Sequence, residues 1–206
     1  MKEPLNAGYQ HEQPLVPKIN EHNAYSISRQ AVNSKEYHDK FSKLPVNHEV
    51  QEALYKEAGR LLRFVDGQEE ERMIAVNART GELIVDNINR DGSINGTGFT
   101  YDEYKKIEKC NDNIIVMHNH SLNGRPSAQD LLTYLHNDNM QLSLIICHDG
   151  SIYAIYGVRK KFEKIYLTYL EEAKHGATNI KEAKRLTTTA LYRLNEKYNI
   201  FDVRRL

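Results

Sequence analysis

Two histidines separated by one residue, His118 and His120, have a spacing that points to metal chemistry. They close an apolar run, residues 114–117, that predicts a buried β-strand. Residues i and i+2 of a strand project from one face, so both imidazoles can converge on one point. Asp130 follows a Gly-Arg-Pro turn and precedes two leucines, which places it in the first turn of a predicted helix. Two nitrogens and one oxygen could then hold one zinc ion, with a fourth position open for water.

A hydrolytic zinc site also needs a base for its water, and an acidic run, residues 69–71, lies just before the first predicted strand. The ordinary interpretation of three consecutive acids is a solvated turn. Within the run, Glu71 lies nearest the strand and shares a face with Met73 and Ala75, so we predict Glu71 as the base. Glu69 has the same parity and is the alternative.

The other candidates also have ordinary structural explanations. Ser127 to Asp130 matches a capping box, in which a serine caps a helix and an acid three residues later bonds back to it. A lone histidine at a strand end is usually a structural residue. The conjunction of His-x-His at a strand end, a proline-containing loop and Ser-x-x-Asp at a helix start favours a metal site. His148, at the end of a later predicted strand, is a weaker candidate for a supporting role.

Helices and short strand pairs are the elements that would position these residues. Helical patterns begin after Ser34 and after Pro45, and two more helices are predicted over 159–175 and 180–199. Turn signals at residues 79–81 and 149–150 predict two strand hairpins. The expected fold is α/β or α+β, with one mixed β-sheet flanked by helices. The second helix carries an apolar stripe at helical spacing, which consists of Val50, Leu54, Ala58, Leu61, Leu62 and Val65.

The order of these elements predicts four segments in the 206-residue chain. The first is polar, lacks periodicity and contains three of the five prolines, so we expect a flexible or draped arm. The predicted segments are an N-terminal arm (1–33), a helical extension (34–66), a metal-binding domain (67–158) and a C-terminal helical segment (159–206).

Composition restricts the partners and the environment that we expect. Lysine plus arginine and aspartate plus glutamate both number 28, so no global field favours nucleic acid or an anionic membrane. We predict no nucleic-acid partner. Cys110 and Cys147 lack the spacing of a metal motif and the number needed for a disulfide framework. With no apolar run of membrane-spanning length, these features favour a cytoplasmic protein.

The motif resembles the JAMM signature of the MPN/JAB metallopeptidases, which has an upstream glutamate, His-x-His-Pro and Ser-x-x-Asp. The stretch from Asn95 to the two histidines is also similar in its order to the bacterial RadC proteins. A closer resemblance, over residues 37–157, is to JAB-like domains of bacteriophage minor head and prophage proteins. It implies an MPN/JAB-like sheet with N-terminal helices and two C-terminal helices.

The resemblance also implies roles for five residues of this chain. His118, His120 and Asp130 would bind Zn²⁺, Glu71 would be the general acid and base, and Ser127 would stabilise the oxyanion. The implied reaction is hydrolysis of a peptide or isopeptide bond, with a protein or peptide as substrate. A phage or mobile-element protein would be a partner of the N-terminal arm, and the protein could associate with virions. The alternative is an inert MPN-like module that serves in assembly or recognition.

Two features depart from the common JAMM pattern. Ser121 stands where proline usually follows the second histidine, and the loop from Ser121 to Pro126 is one residue shorter than usual. The phage-type domains share the shorter loop. Neither departure removes a predicted ligand.

Overall fold

The computed structural model describes residues 23–90 and 96–206. Within these ranges the chain forms seven helices and six strands. The helices are α1 (Arg29–Val32), α2 (Lys35–Phe41), α3 (His48–Val65), α4 (Tyr101–Glu108), α5 (Ala128–Leu135), α6 (Lys161–Gly176) and α7 (Ile180–Tyr198). The strands are β1 (Met73–Asn77), β2 (Leu83–Asp86), β3 (Ile114–His120), β4 (Met140–Cys147), β5 (Ile152–Val158) and β6 (Phe201–Arg205).

The six strands form one mixed sheet in the order β2-β1-β3-β4-β5-β6. Only β3 and β4 are parallel to each other, and the chain between them contains α5. Every other neighbouring pair is antiparallel, including the predicted hairpins β1–β2 and β4–β5. A sheet flanked by helices confirms the predicted α/β class.

Helix α3 packs its apolar stripe into the same core as the sheet. All six predicted stripe residues are buried, and they share one cluster with Ile74, Ile115 and Leu144 of the central strands. Asn47 caps the helix by accepting a hydrogen bond from the Val50 amide. The helical extension predicted over residues 34–66 therefore contributes to the core on one face of the sheet.

Strand β3 is buried because it lies between β1 and β4, pairing with β4 along its whole length and with β1 from Ile114 to His118. Its apolar residues therefore face packed layers on both sides, which accounts for the continuous hydrophobic run in the sequence. Its carboxyl end carries both histidines, and the chain then passes through residues 121–127 into α5. This strand, loop and helix start are the elements that the sequence predicts for the metal site.

The N-terminal arm is described only from Asn23, and the rest of its predicted extent lies outside the described residues. The described part lies against the domain. Ile27 is buried, its amide donates to Asp66, and the Ser28 amide donates to the carbonyl of His148. Over residues 23–33 the arm is therefore draped on the fold and not free, because its backbone finds partners that are distant in sequence.

The C-terminal segment is not entirely helical, which corrects the prediction for residues 159–206. After α7 the chain forms β6, which pairs with β5 at the edge of the sheet. Asn199 adopts a left-handed conformation with φ of 47° and ends α7, so the chain can reverse toward the sheet. Phe201 is buried against Phe162 of α6, and this contact holds the strand to the helical layer.

Helix α7 packs beside the loop that follows the two histidines. The Tyr192 hydroxyl donates to the Pro126 carbonyl at 3.3 Å, and the Arg125 guanidinium lies 5.0 Å from the Tyr192 ring centre. At the start of the helix, Lys181 lies 3.8 Å from the Glu69 carboxylate. Helix α7 thus borders the predicted site. Within 23–90 and 96–206, no helix is both long and apolar enough to cross a membrane.

Candidate metal centre

The two histidines lie on the same face of β3, as the strand parity predicts. His118 is paired with Met73 of β1 and with Ile145 of β4, so its backbone is held on both sides. Its residue surface is only 4% exposed. The two Nε2 atoms of His118 and His120 lie 3.2 Å apart. The strand therefore brings two nitrogen ligands to one point in a largely buried setting.

Asp130 meets these nitrogens from the first turn of α5. Its Oδ1 lies 3.2 Å from Nε2 of His118, and its Oδ2 lies 3.5 Å from Nε2 of His120. The predicted capping box is also present. The Ser127 hydroxyl accepts from the Asp130 amide at 3.2 Å, and the Asp130 carboxylate accepts from the Ser127 amide at 2.5 Å. The cap and the convergence on the histidines thus involve the same carboxylate.

The separations between these atoms suit a small tetrahedral cation. Zinc binds nitrogen and oxygen ligands at about 2.0–2.2 Å, so tetrahedral ligand atoms lie about 3.3–3.6 Å from one another. The two histidine nitrogens lie 3.2 Å apart, Oδ1 of Asp130 lies 3.2 Å from the His118 nitrogen, and Oδ2 lies 3.5 Å from the His120 nitrogen. Each separation is close to this range, with a different carboxylate oxygen facing each histidine.

Hydrogen bonding selects the ligating nitrogen of His120. Its Nδ1 lies 2.9 Å from the Gly124 carbonyl oxygen, which can only accept a hydrogen bond. Nδ1 therefore carries a proton, and in the neutral ring Nε2 keeps its lone pair toward Asp130. Nδ1 of His118 is buried and makes no hydrogen bond to any part of the chain that the structure describes.

Glu71 approaches the histidines from the segment before β1. Its Oε1 lies 3.9 Å from Nε2 of His120, and ligand atoms of Glu71, His118 and His120 all lie within 4.8 Å of one another. These three residues can hold a metal ion. Asp130 lies closer to both histidines than Glu71 does, so two carboxylates adjoin the same pair of nitrogens.

Glu69, the alternative base, points toward other partners. Its carboxylate lies 3.8 Å from Nζ of Lys181, and its hydrogen bond with the Tyr25 hydroxyl raises the pKa of that tyrosine. Strand parity alone does not separate Glu69 from Glu71. The contacts with Lys181 and Tyr25 favour Glu71 as the residue nearer to the histidines.

The charges of the metal-free site are strongly coupled. Burial acts to lower the pKa of His120, but its hydrogen bond with Asp130, the charges of Asp130 and Glu71 and the Gly124 carbonyl together raise this pKa to about 9. Burial acts to raise the pKa of Asp130, and the two histidines more than offset it and hold that pKa well below its usual value. Without metal, the cluster is an ion pair in which a proton on His120 offsets the carboxylate charge.

Three further residues lie next to the site, and the sequence motif assigns none of them a role in it. Asn119, between the histidines, and Ser121, after them, both bond to the segment that carries Glu71. His148 is 1% exposed, and its Nε2 lies 3.3 Å from Nδ2 of Asn119. Asn119 and Ser121 adjoin the histidines in sequence, which was a signal, but their partners in the acidic segment are backbone groups that carry no signature in the sequence. His148 is distant in sequence from the histidines and offered no such signal.

Comparisons of this chain with protein-family models, with curated proteins and with solved structures find no match in any of the three. The arrangement of the residues around His118 and His120 therefore carries the functional argument.

Proposed function

We propose that this protein is a zinc-dependent hydrolase of the JAMM type that cleaves a peptide or isopeptide bond. The observation that carries the proposal is the convergence of His118, His120 and Asp130, with Glu71 directly beside them. Two histidines and a carboxylate are a common ligand set of catalytic zinc. Among the described residues, ligand atoms of Glu71, His118 and His120 also lie within 4.8 Å of one another, so the base that we propose adjoins the two histidines.

Each residue of the cluster has a chemical role in this proposal. Bound zinc would make water nucleophilic near neutral pH and polarise a carbonyl oxygen. Glu71 accepts a proton from the attacking water and delivers it to the leaving amine. The Ser127 hydroxyl accepts from the Asp130 amide, so its own hydrogen can be donated to the developing oxyanion. The backbone of β3 and the start of α5 hold these groups in place.

The loop at 121–126 borders the site on one side, and α7 supports that loop through Tyr192. The proposed substrate is a protein or peptide. A role in a phage or mobile-element system, with a partner bound by the N-terminal arm, rests on the sequence resemblance alone.

Metal content is the first test. The purified full-length protein is dialysed against metal-free buffer and titrated with Zn²⁺, and bound metal is measured by elemental analysis. We expect one zinc per chain in the wild type and in Glu71→Gln, and substantially weaker binding in His118→Ala. His38 and Glu52 form a surface pair at 2.9 Å. Because this histidine–carboxylate pair lies outside the cluster, His38→Ala and Glu52→Gln are matched controls that should bind zinc normally.

Hydrolysis is the second test. Zinc-loaded protein is incubated with a synthetic peptide library in water enriched in oxygen-18, and new carboxyl termini that contain the label are detected by mass spectrometry. Isopeptide-linked conjugates form a second substrate set. We expect label in the wild type and in Glu52→Gln, and at least a 100-fold loss in Glu71→Gln, as for removal of a general base.

Two results would overturn the proposal. A wild type without stoichiometric zinc, or without cleavage in either substrate set, would favour the inert MPN-like module. Normal turnover by Glu71→Gln would refute the assignment of the base. If Glu71→Gln also lost zinc, Glu71 would be a ligand, and the third ligand would need to be reassigned between Glu71 and Asp130.

A further inference from the structure

Side chains of β3 and of the loop after it bond to the segment that carries Glu71. Regular pairing between β1 and β3 ends at Met73 and His118. One position further, the Asn119 amide makes a long contact of 3.4 Å with the Arg72 carbonyl. Beyond that point, Glu71 forms only an isolated bridge, and residues 69 and 70 lie outside any strand. The placement of Glu71 therefore depends on what fixes these residues.

Asn119 continues the pairing with its side chain. Its Oδ1 accepts from the Arg72 amide at 2.8 Å, and its Nδ2 donates to the Glu70 carbonyl at 3.1 Å. These two backbone groups flank Glu71 on either side. Asn119 is 0% exposed, so no bulk water competes for the two bonds. The residue between the two predicted zinc ligands thus bonds to the residues before and after the predicted base.

Ser121 adds a third bond in the same direction. Its hydroxyl donates to the Glu69 carbonyl at 3.1 Å, and the residue is 6% exposed. Proline, which follows the second histidine in the common JAMM pattern, could not donate this bond because it has no side-chain donor. In this chain the substitution at position 121 therefore adds a contact to the acidic segment.

His148 orients the Asn119 amide. Nδ1 of His148 lies 2.7 Å from the Tyr25 carbonyl oxygen, so Nδ1 carries the proton. In the neutral ring Nε2 is then an acceptor, and it lies 3.3 Å from Nδ2 of Asn119. Nδ2 of Asn119 faces two acceptors and Oδ1 faces the backbone amide of Arg72. Only this orientation of the Asn119 side chain, and not the flipped one, satisfies every partner.

We propose that Asn119 and Ser121 are positioning residues that hold the backbone of residues 69–72 so that Glu71 faces His120. The inference rests on the proposed role of Glu71 as the base. It assigns a mechanical function to the middle residue of His-Asn-His and to the serine that follows it. Neither residue touches the substrate or the metal in this proposal, and both act through Glu71.

Hydrogen exchange tests the backbone contacts without any need for activity. In the metal-free full-length protein, amide exchange at Arg72 is compared between the wild type, Ser121→Ala and Asn119→Ala. Asn119→Ala removes the acceptor of the Arg72 amide and should speed its exchange about fivefold or more. Ser121→Ala removes the bond to the Glu69 carbonyl and should speed exchange at Arg72 less, through the loosened segment. Ser42→Ala is the matched control, because Ser42 also donates to a backbone carbonyl, that of Asp39 at 2.8 Å. It should leave Arg72 unchanged.

The effect on Glu71 is tested in the Co²⁺-loaded protein at one fixed pH. Ser121→Ala should keep Co²⁺ affinity within about threefold of the wild type, because it alters no ligand. Its visible spectrum should move toward that of Glu71→Gln. In turnover, kcat should fall about tenfold with KM unchanged, and Ser121→Thr, which keeps the hydroxyl, should restore it. Adding Ser121→Ala to Glu71→Gln should cause no further loss, because both changes act through one group.

The outcomes separate this inference from the proposed function. A wild type that binds no Co²⁺ and cleaves nothing overturns the proposed function, and exchange at Arg72 still decides whether the two side chains hold the segment. An active wild type with an unchanged Ser121→Ala spectrum, or with losses that add to those of Glu71→Gln, overturns the positioning role. If Asn119→Ala fails to fold, the Ser121 variants carry the test, because serine to alanine is the smaller change.

Discussion

Replacement of Ser127 can separate two roles that the structure assigns to one hydroxyl. The hydroxyl accepts from the Asp130 amide and so caps α5. In the proposed function it also donates to the oxyanion. The Asp130 carboxylate is held by a different group, the backbone amide of Ser127 at 2.5 Å. A side-chain substitution leaves that amide in place, so it should alter the cap and the oxyanion donor without releasing the ligand.

The expected magnitudes differ enough to distinguish the two roles. Ser127→Ala should lower the free energy of unfolding by about 1 kcal/mol, the usual cost of an N-cap, whereas Ser127→Gly should cost only a few tenths. Both substitutions remove the oxyanion donor, which typically contributes about 2.7–4 kcal/mol to the transition state, or 10²–10³ in kcat. Ser127→Thr keeps both the cap and the donor. Activity should therefore follow the hydroxyl, while stability follows capping ability.

The assay combines urea unfolding, zinc titration and label incorporation for the three variants. Thr100→Ala is the matched control, because Thr100 caps α4 with the same capping box, bonding to the Glu103 amide at 3.3 Å. It should cost about 1 kcal/mol of stability and leave activity unchanged. Retention of activity by Ser127→Gly within threefold would refute the oxyanion role. Loss of zinc by Ser127→Ala would refute the conclusion that the backbone amide is what holds Asp130.

Three further predictions concern stability. Burial lowers the pKa of His120, but Asp130 and Glu71 raise it overall from 6.5 to about 9. The protonated ring should therefore stabilise the metal-free protein by ~3 kcal/mol at most. This stabilisation should be fully present below pH 6.5 and should be lost as the pH rises through 9. Urea unfolding of the metal-free wild type over this pH range should show the loss, whereas His120→Gln should not. A free energy of unfolding that does not change with pH in the wild type would contradict the prediction. Chelation of zinc should lower the melting temperature, because zinc at 1,000 times its Kd adds about 4.1 kcal/mol to the free energy of unfolding. In calorimetry, His118→Ala should show no such change on chelation. Leu54→Ala should lower the free energy of unfolding by about 2–5 kcal/mol, as for a core residue, and a change below 1 kcal/mol would show that α3 is peripheral.

Local patterns were sufficient for most of the fold. The stripe on α3 is buried as predicted, because a helix fixes which residues share a face. The start of α5 follows from its capping box. The strand β6 was missed because five residues with three charges show little apolar pattern, and its partner β5 lies more than 40 residues earlier. The parallel pairing of β3 with β4 is likewise a long-range property that no local pattern contains.

The same limit applies to the site. Strand parity placed both histidines, and helix capping placed Asp130, since each depends only on neighbouring residues. Parity could not choose between Glu69 and Glu71, because both lie on one side of an extended segment. What distinguishes the two glutamates is the contact of Glu69 with Lys181, which lies 112 positions away in the sequence. Asn119 showed no role in the sequence because its partners in the acidic segment are backbone groups, which every residue carries.

The capping box at α5 and the proposed zinc site are compatible, although in the sequence they are competing explanations of Ser127 and Asp130. A carboxylate has two oxygens with several acceptor positions, so Oδ2 of Asp130 can accept the Ser127 amide while Oδ1 faces His118. The cap restricts the aspartate rotamer before any metal arrives. Ordering a side chain on binding costs about 0.5–1.5 kcal/mol, and a capped aspartate avoids much of that cost. A helix start that is stable without metal therefore also holds the ligand ready for metal, which explains how one short motif can satisfy both patterns.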